Sequence, residues 1–123
     1  MKRLESKIIE VNQRYETRFD SANSPNFSAG GDSTYFDPGN RKILFLKLDC
    51  RIWWLFDFDM IGAWRLCLED RPIAIAAERL GGSRQGVHIE FSFKKTTMSS
   101  ISMAIADRHQ GDLWNHRISL MLK

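Results

Sequence analysis

The segment Asp37-Pro38-Gly39-Asn40-Arg41-Lys42-Ile43-Leu44-Phe45-Leu46-Lys47-Leu48-Asp49-Cys50-Arg51-Ile52-Trp53-Trp54-Leu55-Phe56-Asp57 carries the first clear strand pattern of the chain. Its opening residues, Asp37 to Asn40, signal a turn, because Pro presets one backbone angle and Gly accepts positive φ. Lys42 to Leu48 then runs with little polar alternation, which predicts a strand with both faces covered. Leu48-Asp49-Cys50-Arg51 turns the chain into a second strand, Ile52 to Asp57. Phe58-Asp59-Met60 is a corner, and Ile61 to Glu69 is a third strand in which Gly62 predicts a bulge or a close backbone approach. Before the turn, Thr34-Tyr35-Phe36 is short and β-prone.

Downstream, Ile73 to Leu80 alternates at first and then turns Ala-rich, which fits a short strand or a single helical turn. Gly81 to Gly86 reads as a hairpin loop. It lacks the Lys-Ser/Thr of a phosphate loop, and its glycines miss the dinucleotide spacing. Val87 to Lys94 alternates most cleanly of all and predicts a strand burying Val87, Ile89, Phe91 and Phe93. Ile101 to Ala106 alternates again. Trp114 to Leu122 reads as a last strand, with Trp114, His116, Ile118 and Leu120 on one face.

Upstream, Leu4, Ile8, Val11, Tyr15 and Phe19 recur at helical steps. They predict an amphipathic helix over about residues 3–18, ending near Asp20. Residues 20–33 are small, polar and aperiodic, and read as a loop. The expected organisation is an N-terminal helix in residues 1–20, a linker over 21–33 and one antiparallel β domain over 34–123. The fold class is α+β: one helix and about seven mostly antiparallel strands forming a half-open barrel or sandwich.

Composition bounds the rest. At 123 residues, with 43% hydrophobic and 27% charged side chains, the chain suits one core-bearing domain and argues against disorder. A net charge of +3 is a mild basic bias, too small for a nucleic-acid tail or a polybasic membrane anchor. The excess gathers in residues 81–100, at Arg84, Lys94 and Lys95, as a solvated face or an anion contact. Cys50 and Cys67 are too few for a disulfide scaffold and lack zinc-ligand spacing. No apolar signal-peptide core is present in residues 1–20, and the run Ile52 to Phe56 is far short of the roughly 20 residues of a membrane span. These features predict a cytoplasmic protein with reduced thiols and no transmembrane segment.

Chemistry-bearing patterns are sparse. Asp107-Arg108-His109-Gln110-Gly111-Asp112, with His116, is the densest polar cluster. A hydrolytic site there would need a third converging group, from His88 or Glu90, and a surface loop is the competing reading. Cys67 falls in an apolar strand pattern and reads as a small core residue, with a spatial His partner left open. Asp57 and Asp59 read as corner caps in preference to an acid/base pair. No catalytic residue, metal ligand or cofactor is assigned.

The tryptophans say more. Trp53 and Trp54 are adjacent, so in a strand they point to opposite faces. One enters the core; the other needs cover from the N-terminal helix or from a partner. That partner is another protein or a second copy of the chain, with exposed aromatics as anchors. Arg51, Arg84, Lys94, Lys95 and Arg108 complete the candidate binding set. Nucleic acid or anionic lipid is the other ligand class these basic side chains allow.

Four stretches are familiar together: Phe36-Asp37-Pro38-Gly39-Asn40-Arg41-Lys42-Ile43, Phe56-Asp57-Phe58-Asp59-Met60-Ile61-Gly62-Ala63-Trp64, Ile105-Ala106-Asp107-Arg108-His109 and Trp114-Asn115-His116-Arg117-Ile118. Over about residues 34–120 the chain resembles the small bacterial pleckstrin-homology-like domains of unknown function. The resemblance implies a half-open antiparallel barrel and transfers no catalytic residue. Two departures stand out. Met60 sits where the family tends to be acidic, and the family's closing C-terminal helix is replaced by the strand read at Trp114 to Leu122. The expectation is a non-enzymatic protein-binding module. A small bacterial or mobile-element chain of this type fits an adaptor or an inhibitor of a host complex, including anti-CRISPR-type inhibition. Contact with nucleic acid or anionic lipid, and hydrolysis at Asp107–His116, are the alternatives.

Overall fold

The computed structural model describes residues 3–68 and 87–122. The stretch from Ile73 to Leu80, the Gly81–Gly86 loop and Arg84 lie outside the described residues. Helix α1 (Arg3–Tyr15) is followed by β1 (Asn26–Ala29), β2 (Asp32–Asp37), β3 (Lys42–Lys47) and β4 (Ile52–Asp57). These four strands form an antiparallel meander in the order β1-β2-β3-β4. A 3-10 turn at Phe58–Met60 leads into β5 (Ile61–Leu68), β6 (Val87–Phe93) and β7 (Ser100–Ala104), a second antiparallel sheet in the order β5-β6-β7. Helix α2 (Arg108–Met121) follows. The fold is α+β, as expected, with seven antiparallel strands among the described residues and a helix at either end.

The first sheet is the middle layer. In β3, Ile43 and Phe45 point into the cluster shared with the second sheet and α2, while Leu44 and Leu46 point at α1. All four are fully buried, which is why this strand shows so little polar alternation. Phe45 meets Phe91 with ring centroids 5.1 Å apart, and Phe56 meets Phe93 at 4.4 Å. On the other face, Ile8 and Val11 of α1 pack with Phe19, Tyr35 and Cys50. One corner between the sheets is pinned by charge. Asp32 Oδ2 accepts from Lys47 Nζ at 2.8 Å and from the Ala104 amide at 3.0 Å, and Lys47 Nζ also donates to the Ser102 carbonyl at 2.7 Å. The expected irregularity at Gly62 is present, as a register shift between Ile61 and Ala63 against β6.

Three expectations need correction. Helix α1 stops at Tyr15, because Glu16 takes a left-handed φ of 58°. Asn12 then gathers the departing chain: its Oδ1 accepts from Thr17 Oγ1 and the Phe19 amide, and its Nδ2 donates to the Phe19 carbonyl. Phe19 is buried, but from beyond the helix. Second, β1 lies inside the stretch read as loop, residues 20–33. Gly30 and Gly31 both have positive φ (57° and 88°) between the paired Ala29 and Asp32, the geometry of a two-residue hairpin turn.

Third, residues 114–122 are not a strand. They continue α2, whose N-cap Asp107 accepts from the Gln110 amide at 2.8 Å. Trp114 and Ile118 are four apart, a spacing that satisfies both a strand face and a helix stripe. The helix stripe is the one used: Gly111, Trp114 and Ile118 are buried, and His116 is exposed. The helix lies close enough to β5 that a Cβ on Gly111 would come within 2.5 Å of Leu66 Cδ1.

Candidate protein interface along the edge strand β4

β4 is the last strand of its sheet, paired with β3 on one edge. Among the described residues no strand pairs with its other edge, so alternate backbone N–H and C=O groups there face outward. Its sequence, Ile-Trp-Trp-Leu-Phe-Asp, contains no buried residue; Ile52 is 43% exposed and the others are half-buried. The two tryptophans point to opposite faces, as adjacency in a strand requires. Trp53 meets α1, with Tyr15 edge-on at 6.1 Å and Lys7 Nζ 5.5 Å from the ring centroid. Trp54 packs on the cluster between the sheets. An open groove follows the strand, lined by Tyr15, Trp53, Trp54, Leu55 and Met60 and by the Lys42–Asp57 ion pair.

The turn that feeds β4 is strained. Leu48, Asp49 and Cys50 take positive φ in succession (55°, 54° and 73°). Left-handed backbone costs a non-glycine residue roughly 1–2 kcal/mol. The turn is held by the Asp49 amide donating to the Gly31 carbonyl at 3.0 Å and by Arg3 Nη1 donating to the Asp49 carbonyl at 3.3 Å. It drives Cys50 inward and leaves Leu48, 58% exposed, and Arg51 outward beside Ile52. Burial, followed by the Asp49 carboxylate, pushes the Cys50 thiol up. Burial first, and then the nearby thiol, pushes the Tyr35 phenol up. Sequence reasoning placed a turn here without its left-handed run; no Gly or Asn marks it.

The candidate binding residues separate into groups. Arg51, Trp53 and Trp54 share β4 and its turn. Lys94 and Lys95 are exposed in the β6–β7 turn, where the Lys94 amide donates to the Met60 carbonyl at 2.9 Å, at the opposite end of β4 from Arg51. A six-residue strand puts those ends about 20 Å apart. Arg108 is exposed at the start of α2. Lys94 and Lys95 therefore do not gather into one patch with Arg51.

Nor does the polar cluster at Asp107–His116 converge. Asp107 is engaged as a helix cap, and His109 and His116 lie seven residues apart on α2, about 10 Å along the axis. Cys67 is half-buried and lies directly opposite His88 in the β5–β6 register. It alternates with the core-facing Leu66, so it belongs to the outer face, beside the Arg65–Glu90 pair at 2.8 Å. The Glu90 hydrogen bond raises Arg65 above its ordinary value. Among the described residues no three His, Cys, Asp or Glu side chains come together as a metal site would require, and no helix is long and apolar enough to cross a membrane. Comparison with family models, curated proteins and solved structures gives no match.

Proposed function

We propose that the protein is a non-enzymatic binding module whose β4 edge takes an extended segment of another protein as an added strand. The observation that supports this is β4 itself: five consecutive large apolar residues on an outer strand, none of them buried. Edge backbone groups supply affinity in such pairing, and alternating side chains supply selectivity. Trp53 and Trp54 are the anchors, Arg51 and Leu48 the flanking contacts. The pleckstrin-homology-like reading belongs to the same proposal. Four strands, then three, then a helix packed on β5 and β6 provide the terminal helix that such a half-barrel uses and that the sequence reading lacked. Fold analogy does not carry a function by itself. The partner inferred is a larger protein, with the chain acting as an adaptor or an inhibitor.

The test is affinity capture from host extract with the wild-type chain, Ile52→Lys and Trp53→Ala, each first shown folded by circular dichroism. Proteins captured by the wild type and lost at least tenfold with both variants support the proposal. A captured set that neither substitution alters overturns it.

A further inference from the structure

Helix α2 has a second patterned face, turned away from its own core. Gly111, Trp114 and Ile118 form the buried stripe. On the opposite side His109, Leu113, His116 and Leu120 recur at steps of four, three and four, and all are exposed. Leu113 and Leu120, 46% and 58% exposed, are among the largest exposed apolar side chains of the protein. Steps of four and three are the a/d spacing by which two helices pack along one seam. Charge flanks that seam. At 3.6 residues per turn, Asp112 and Arg117 lie roughly 70° to either side of its centre. They are five residues apart, the separation that lets a g-position side chain of one helix meet an e-position side chain of a parallel neighbour. The Arg117 guanidinium is stacked over the Trp114 ring at 4.2 Å, on the side of the helix between the seam and the buried stripe, and turns from that ring to meet a partner.

We propose that the occupant of this face is a second copy of the chain, docked as a parallel pair of α2 helices about a two-fold axis. Symmetry then places Asp112 of each copy against Arg117 of the other. An antiparallel pair would set Asp112 against Asp112 and Arg117 against Arg117, so the charges select the parallel arrangement. The seam faces away from the core, so the two bodies fall on opposite sides of the pair. Fourteen residues give just under four turns, a contact smaller than the roughly 800 Å² per partner of a standard stable interface. The dimer is therefore weak, forming in the micromolar range.

Sedimentation velocity from about 5 to 500 µM in low salt reads this directly. The wild-type chain is expected to shift from monomer to dimer over that range. Asp112→Arg and Arg117→Asp each set like charges across the seam and weaken the dimer at least tenfold. An equimolar mixture of the two restores it, because opposite charges then meet at both positions. Leu113→Lys, a substitution at an exposed position of the same face, abolishes it without depending on Arg117 and its stacking on Trp114. A chain that stays monomeric throughout, or a dimer indifferent to both charge reversals and to Leu113→Lys, overturns the inference. Ile52→Lys leaves the dimer intact, so failure here and failure of the β4 proposal are distinguishable.

Discussion

β3 and β4 are hydrogen-bonded neighbours of equal length and similar apolarity, and they have opposite fates. Lys-Ile-Leu-Phe-Leu-Lys in β3 has four buried residues between two half-buried lysines. Ile-Trp-Trp-Leu-Phe-Asp in β4 has none. Each strand sends alternate side chains to the same two layers, α1 on one face and the second sheet on the other. The difference lies in the edges. β3 has β2 and β4 on its flanks, so its side chains are covered from both directions within the sheet. β4 has one such flank among the described residues. Apolar composition thus sets which strands can be central, while position in the sheet sets how much of that surface is removed from water. What is left over on β4 is the surface on which the binding proposal rests.

The register offers a controlled way to break this contrast, because Leu44 and Leu55 are the same residue, directly opposite, facing the same α1 cluster. Leu44→Ala removes a fully buried side chain and is expected to cost about 3–4 kcal/mol, against about 1–2 kcal/mol for the half-buried Leu55. Urea denaturation of both variants gives the comparison. Equal losses would mean that β4 is as central to the fold as β3, and would remove the surplus surface on which the binding proposal rests.

How far the sequence could anticipate this depends on whether the deciding contact is local. The unbroken apolar run of β3 announces burial on both faces, and the opposed directions of Trp53 and Trp54 follow from strand geometry alone. That β4 ends its sheet among the described residues does not, since it depends on which strand lies beside it, a non-local fact. At α2 the failure was one of period. The Trp114–Ile118 step fits two patterns; the arbitrating signals are Asp107 three residues before Gln110, which also suits a loop, and the continuous length from Arg108 to Met121, which exceeds a typical strand. The same misreading placed His116 on a buried face and hid the outward seam of Leu113 and Leu120. β1 was missed because four residues give too short a window for alternation, although Gly30-Gly31 is a recognisable hairpin turn.

A smaller effect, of opposite sign, probes the layer between the sheets. Thr34 in β2 is fully buried beside Phe45, and its Oγ1 has no hydrogen-bond partner among the described residues. Thr34→Val keeps the shape and removes the unsatisfied hydroxyl, so a gain of about 1 kcal/mol is expected in thermal or urea unfolding. A loss of similar size would show that the hydroxyl is satisfied in solution and that this layer is wetter than its burial implies.

The last and smallest effect lies on the α1 side of β3, where Cys50 and Tyr35 are both pushed up chiefly by burial. The unfolded chain ionises these groups at their ordinary values, about 8.5 for a thiol and about 10 for a phenol. The folded chain holds its protons to higher pH. Stability from these groups is therefore complete below pH about 8 and is lost as pH rises towards the raised folded values, the thiol acting first. The expected sign is a decline in melting temperature above pH about 8.5, and Cys50→Ala is expected to delay its onset to the range of the phenol. β4 contributes no such group, so a decline unchanged by Cys50→Ala would move its origin away from the covered face of the sheet and uncouple burial of β3 from the docking of α1.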